Sequence, residues 1–193
     1  HCISQWGHDF RPDYLHLKEV VDALPGVRVM AVTATATPDV REDIVTQLGL
    51  GIAPRHEPVV RVHGFSRPNL HLAVCRASSH AVKLHRVNAC IAQHRNGIVY
   101  VATRRQAERV CERIRQTCRV SALLYHGALA DDERARVQDA FCGAEHPVIV
   151  ATNAFGMGVD RNDLRFICHW DVPGSVEAYY QEVGRAGRDG QPA

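Results

Sequence analysis

The chain has 193 residues, 46% of them hydrophobic and 23% charged, a balance that excludes a disordered chain and suits one large domain or one and a half small ones. Basic residues number 23 against 21 acidic, divided as 7 against 8 in residues 1–70 and 16 against 13 in residues 71–193, a tilt too mild to establish nucleic-acid binding by itself. No apolar run approaches the roughly 18 residues that a transmembrane helix needs.

All but two of the basic residues are arginine, the exceptions being Lys18 and Lys83. The seven cysteines (Cys2, Cys75, Cys90, Cys111, Cys118, Cys142 and Cys168) are odd in number and never closer than seven apart. Neither a disulfide framework nor a zinc framework fits that spacing, and reduced, buried thiols in a cytosolic protein are expected. The 12 histidines show no helical ligand spacing beside a third ligand, so no metal site is expected. The first residue is His1 and no basic-then-apolar leader follows, the expectation for a piece of a longer chain and not for a processed secreted one.

Along the chain, short apolar strands alternate with amphipathic helices. Val27–Thr33 is β-branched and reads as a buried strand. Thr37-Pro38 opens a helix, with Thr as cap and Pro at its first position, and Gly49 closes it. Val59–Val62 and Leu70–Cys75 read as strands flanking a turn-rich stretch from Gly64 to Asn69. A helix is expected from Ser79 to about His94, with Val82, Val87, Ile91 and Ala92 as its apolar positions. Gly97–Val101 is a strand, and Thr103 with Gln106 three residues on forms a capping-box pattern opening the next helix. Val120–Leu124 is a strand, and Asp131 or Asp132 caps a helix running to Phe141. Val148–Ala151 and Phe166–His169 are strands, and Ser175 caps a final helix. Such repetition predicts an α/β fold, a parallel sheet with helices on both faces. Ligands in such sheets bind beyond the carboxyl ends of the strands, so the loops after Val101, Leu124, Ala151 and His169 are where chemistry is expected.

Several of those loops carry chemistry-bearing residues. Gln181-Glu-Val-Gly-Arg185-Ala-Gly-Arg188-Asp-Gly190 sets two arginines in a glycine frame, three residues apart and expected to point the same way. Arginine clamps phosphate oxygens with a planar fork that stays charged, and glycine lets the phosphate approach the backbone. A solvated Gly-rich tail is the plain alternative. Thr152, Gly156, Gly158 and Asp160 follow a buried strand, where backbone N–H groups and a hydroxyl could hold a phosphate and Asp160 could accept from a ribose hydroxyl. Thr33 and Thr35 end a strand with hydroxyls free to bond across a cleft. Gln5, Trp6, His8, Phe10 and Arg11 crowd aromatics and charge into a non-helical stretch. That composition suits either single-stranded nucleic acid or a small core cluster under a loop.

Taken together, Trp6–Pro12, Thr33–Thr35, Phe65–Asn69, Tyr125–Leu129, Phe155–Asp160 and Gln181–Gly190 resemble the RecQ DNA helicases of helicase superfamily 2, in that family's order and through essentially the whole chain. The resemblance implies a RecA-like fold: the last part of a first RecA-like domain (residues 1–64), a linker (65–70) and nearly all of a second domain (71–193). It implies that His1 ends an Asp-Glu-Ala-His box, that Gln5–Arg11 form the aromatic loop coupling DNA binding to ATP hydrolysis, and that Gln5, His8, Thr33 and Thr35 serve coupling. Trp6, Phe10, Arg11, Thr103, Arg104, His126 and Thr152 would face DNA. Gly158, Asp160, Arg185 and Arg188 would face ATP. Among the catalytic residues Gln181, Arg185, Arg188 and His1, Arg188 would be the arginine finger, with Arg185 its partner on the phosphates. A DEAD-box RNA helicase would have His in place of Gln181.

By the same resemblance the function is that of an ATP-dependent 3′-to-5′ DNA helicase in recombination, repair and replication. ATP and Mg²⁺ are its cofactors, and single-stranded and branched or forked DNA its substrates. The setting would be the bacterial nucleoid or the eukaryotic nucleus. The Walker A pattern Gly-x-x-x-x-Gly-Lys-Ser/Thr is not in this sequence, since neither Lys18 nor Lys83 has that context. The alternative is a non-catalytic DNA-binding or scaffold remnant, and the intact Gln181–Arg188 pattern favours the motor.

Overall fold

The computed structural model describes residues 2–4, 11–24, 26–34, 36–52, 57–64, 66–156 and 161–193. Two compact units divide the chain, His1–Phe65 and Ser66–Ala193. No helix among the described residues is long and apolar enough to cross a membrane.

The first unit holds a 3₁₀ turn over Pro12–His16, followed by α1 (Leu17–Ala23) and α2 (Pro38–Gln47). Thr37 caps α2, its hydroxyl accepting from the Val40 N–H at 3.3 Å. Gly49 sits just past the helix end at φ +61°, a left-handed conformation that glycine adopts without steric cost. Ile3, Val40, Ile44 and Leu48 form a small core, with Val21 and Val29 packed against it. Three expected strands do not form: residues 27–33, 59–62 and 70–75 are irregular and belong to no sheet among the described residues. Met30 and Val32 are exposed, as are Val59, Val60, Leu72 and Val74. A strand requires a neighbouring strand to take up its backbone N–H and C=O groups along its length; the 70–75 run has instead an isolated bond from the His71 N–H to the Ala193 carbonyl.

The second unit comprises α3 (His80–His94), β1 (Gly97–Tyr100), α4 (Arg104–Cys118), β2 (Ala122–Tyr125), α5 (Asp131–Gly143), β3 (Val148–Ala151), β4 (Phe166–His169) and α6 (Val176–Val183). The strands form one parallel sheet in the order β2-β3-β1-β4. Gly97 pairs with both Val148 and Phe166, and Val148 with Ala122, so the four strands start in one row and end in another. One face packs Val99 and Val150 against Val87 and Ile91 of α3 and Val110 and Ile114 of α4. The other packs Ile98 and Ile149 against Phe141 of α5, Phe155 and Leu164. Both faces are therefore dry, as continuous apolar strands require.

Ser79, Thr103 and Ser175 cap α3, α4 and α6 through their hydroxyls. The cap of α5 is Ala130, with no side-chain bond, and Asp131 and Asp132 fall inside its first turn, where their charge favours the helix N-terminus. Not all thiols are buried: Cys111 is, whereas Cys75 and Cys142 are exposed. Cys90 and Cys168 meet, and the Cys168 thiol donating to Cys90 holds Cys90 below its ordinary value. Residues 66–70, expected as linker, belong to the second unit.

Arg161 closes the end of α5. Its Nη1 donates to the carbonyls of Phe141 (2.9 Å), Cys142 (3.1 Å) and Ala144 (2.6 Å), while Nε and Nη2 grip the two oxygens of Asp163. Arg161→Ala leaves the last carbonyls of α5 without that donor and should destabilise the second unit by about 2–3 kcal/mol. The Arg161 fork holds the Asp163 carboxyl below the usual range. A depressed carboxylate gives stability present above its unfolded value of about 3.9 and lost as pH falls through the folded one. Asp163→Asn should therefore lower the melting temperature at pH 7 and reduce the further loss measured between pH 4 and pH 3.

Candidate nucleic-acid and phosphate site

The row of strand ends at Tyr100, Tyr125, Ala151 and His169 launches the loops that form the candidate site. A cleft of about 510 Å³ opens over three of them, lined by Thr103, Arg104 and Arg105 after β1, Gly127 after β2, and Thr152 and Asn153 after β3. Thr103 caps α4, so the N-terminus of this 15-residue helix opens on the cleft. Uncommitted backbone N–H groups there carry partial positive charge and attract phosphate, and the exposed Arg104 and Arg105 add full charge. Thr152 is buried, its N–H donating to the Tyr125 carbonyl at 3.2 Å, which ties the β2 and β3 loops together.

His126 is expected to face DNA. It is buried, its Nε2 lies 3.6 Å from Glu108 of α4, and Nδ1 has no partner. The residue that lines the cleft from this loop is Gly127.

The arginine-rich segment follows α6. Arg185 Nη1 donates to the Gly156 carbonyl at 2.6 Å, and a Cβ at Gly156 would run into its guanidinium. Arg188 is exposed. The two arginines therefore do not share surroundings, contrary to the expectation from their spacing, because the helix stops at Val183 and Gly187 turns the chain at φ +56°. Gln181 is half-buried on α6.

Three residues that the sequence reading did not single out anchor α6 to the sheet. Glu182 bonds His169 Nε2 at 2.7 Å, and both side chains are largely buried. The His169 ring stacks on Tyr100 at 5.7 Å and 17°. Burial pushes the Tyr100 hydroxyl up to about 12, opposed by the neighbouring Arg185, so it stays protonated and donates to the Phe155 carbonyl at 3.0 Å. Asp171, after β4, accepts from the Ala102 N–H at 3.0 Å and from Gln106 at 3.3 Å, fixing the rim of the cleft. Polar residues at strand ends are a general signal for such anchors, but their partners come from distant sequence. His1, Gln5, Trp6, His8, Phe10, Thr35, Gly158 and Asp160 lie outside the described residues. Arg11 is partly exposed and Thr33 exposed, both in the first unit.

Residues 81–190 match the helicase conserved C-terminal domain. The chain belongs to that family. It is 46% identical to the ATP-dependent DNA helicase RecQ of Bacillus subtilis over 98% of this chain and 31% of that protein. It is 42% identical to the Schizosaccharomyces pombe helicase hus2/rqh1, over 100% of this chain and 14% of that protein. With the Xenopus laevis RecQ-like DNA helicase BLM the identity is 41%, over 99% and 14%. The chain thus spans under a third of the length of these relatives. Among solved structures, Saccharomyces cerevisiae Dbp5 bound to RNA and ADP BeF3 superposes with a TM-score of 0.70 at 20% identity, over 99% of this chain and 49% of that one. Mss116p DEAD-box helicase domain 2 bound to an RNA duplex gives 0.53 at 18%, over 57% and 45%. The expected RecQ resemblance and RecA-like fold are both borne out.

The contact between Gly156 and Arg185 leads to a stability prediction. Gly156→Ala must displace the Arg185 guanidinium and should destabilise the chain by about 1–3 kcal/mol. Gly143→Ala, where a Cβ meets nothing within 4 Å at the end of α5, should be neutral or stabilising. Urea unfolding midpoints of the two variants compare them directly.

Proposed function

We propose that the chain is the C-terminal half of the motor of a 3′-to-5′ DNA helicase of the RecQ type, driven by ATP with Mg²⁺, working on single-stranded and branched or forked DNA in recombination, repair and replication. In this reading residues 1–64 close a first RecA-like domain, and the second, expected over 71–193, takes in residues 66–70 as well. The observation that carries it is the loop after β3, which lines the cleft with Thr152 and Asn153 and also supplies, at Gly156, the carbonyl that grips Arg185. One loop thereby joins a phosphate-friendly cleft to the arginine turn, as a nucleic-acid-stimulated hydrolase requires.

Thr103, Thr152 and the N-terminal amides of α4 hold the DNA backbone by hydrogen bonds, with Arg104 supplying charge. His126 supports the β2 loop from below, and Gly127 lines the strand's path. Gln181, Arg185, Arg188, Gly158 and Asp160 serve ATP. Trp6, Phe10 and Arg11 contact DNA, Gln5, His8, Thr33 and Thr35 couple DNA binding to hydrolysis, and His1 belongs with the catalytic residues. Bound ATP and Mg²⁺ supply the phosphoryl group and its charge neutralisation. Among the described residues no cluster of three His, Cys, Asp or Glu is disposed to hold a metal, so no step is assigned to metal ligands of this chain. The exposed Arg188 in a glycine-rich turn fits an anionic phosphate. Its fork stabilises charge that grows on the phosphoryl oxygens, and so acts on rate more than on affinity.

In the complete helicase polypeptide carrying this sequence, Arg188→Ala should slow steady-state ATP hydrolysis about 10³–10⁵-fold with little change in nucleotide or DNA affinity. Arg188→Lys should rescue poorly, because a point charge lacks the planar fork. Near-normal turnover by the folded Ala variant would overturn the finger assignment and favour a scaffold. Arg104→Ala should weaken DNA binding across sequences and lower the salt slope of log K by about 1.

A further inference from the structure

Arg67 and Asn69 open the second unit and reach across nearly its whole sequence to the arginine turn. Arg67 donates through Nη2 to the carbonyls of Ala186 (3.0 Å) and Gly187 (2.7 Å), and through Nη1 to Gly184 (3.4 Å). Its Nε donates to the side-chain oxygen of Asn69 at 3.4 Å, which orients the amide. The Asn69 amide nitrogen in turn donates to the Gly187 carbonyl at 2.8 Å and the Gln191 carbonyl at 2.9 Å. Backbone bonds from Ala193 N–H to Asn69 (3.0 Å) and from His71 N–H to Ala193 (2.8 Å) continue the clasp. A Cβ at Gly187 would meet the Asn69 amide at 2.6 Å, so glycine there is required by this side chain as well as by its φ.

These contacts converge on one object. The carbonyls at the end of α6 and in the turn after it lack helical partners, and a guanidinium with a rigid fork can satisfy three of them at once. The held carbonyls, at 187 and 191, lie on either side of Arg188, which itself is exposed. Ser66 and Pro68, between and before the two donors, are also exposed, so the segment contributes little apolar burial of its own. Its contribution is geometric.

We propose that Arg67 and Asn69 are positioning residues for the hydrolytic reaction, a clasp that fixes the 184–191 turn so that the Arg188 guanidinium stands where the phosphoryl oxygens need it. The proposal rests on the motor reading above. Displacement of a reacting group by about 1 Å can cost about a hundredfold in rate, so loss of the three bonds of the Asn69 side chain in Asn69→Ala should lower kcat for ATP about ten- to a hundredfold. KM for ATP and DNA affinity should stay within about twofold, a split that a purely structural residue does not produce. Arg67→Lys should behave like Asn69→Ala, because an ammonium cannot span three carbonyls.

The test is a double-mutant cycle in the complete helicase polypeptide, with Asn69→Ala, Arg188→Ala and both together, each checked for folding by thermal denaturation. The expected result is that Asn69→Ala slows turnover strongly alone and by less than about twofold in the Arg188→Ala background. If Arg188→Ala turns over normally, the motor reading fails. If Arg188→Ala is slow but Asn69→Ala is not, or if the two effects multiply, the clasp proposal fails. Should Asn69→Ala not fold, Asn69→Asp keeps the shape while losing both donated bonds and makes the same comparison.

Discussion

The register of the parallel sheet is the constraint on which the second unit depends. Because Gly97, Ala122, Val148 and Phe166 stand in one row, four strands of four residues each end together at Tyr100, Tyr125, Ala151 and His169. A shift of one residue in any strand would reverse its faces. It would expose Ile98 or Ile149 on the side that α3 and α4 cover, and move a loop about 3.3 Å along the sheet axis. The cleft and the arginine turn draw on loops from all four strand ends, so their geometry is only as definite as that register.

Polar anchoring is then added at the ends of the strands and not within the sheet. Tyr100 donates to Phe155 and carries the His169 ring, which holds Glu182 on α6. Asp171 bonds the backbone at Ala102, and Lys83 reaches the Trp170 carbonyl at 2.6 Å. Each of these groups is buried or half-buried and bonded, so the end of the sheet tolerates polar atoms without the cost of leaving them unsatisfied.

The arginines of this region divide into those that hold structure and those that face outward. Arg161 and Arg67 each satisfy three carbonyls at a helix end, at α5 and α6 respectively. Arg185 grips one carbonyl in a neighbouring loop, while Arg188, Arg104 and Arg105 are exposed. A lysine could not replace the first group, since an ammonium offers no planar fork. The sparse use of lysine in this chain is in keeping with that work.

Local sequence by itself determined α2 to α6 and, to within two residues, the four strands of the sheet, but it gave no sign of α1. Thr37, Ser79, Thr103 and Ser175 cap where their hydroxyls can reach an N–H three residues on, and the uninterrupted apolar runs at 97–100 and 148–151 can only be strands buried on both faces. The motifs likewise carried the family, because Gln181–Gly190 and Tyr125–Leu129 are unusual in composition and order. What local pattern could not supply is partnership. Val27–Thr33 has the composition of a strand and forms none, since a ladder depends on a second segment. His126 sits in a functional motif yet turns toward Glu108, a residue 18 positions earlier that only the packing of α4 brings near. Arg185 and Arg188 share one motif but part company at Gly187, and Asn69 meets that glycine from 118 residues away. Contacts of that kind follow from how the chain closes on itself, which no window of neighbouring residues records.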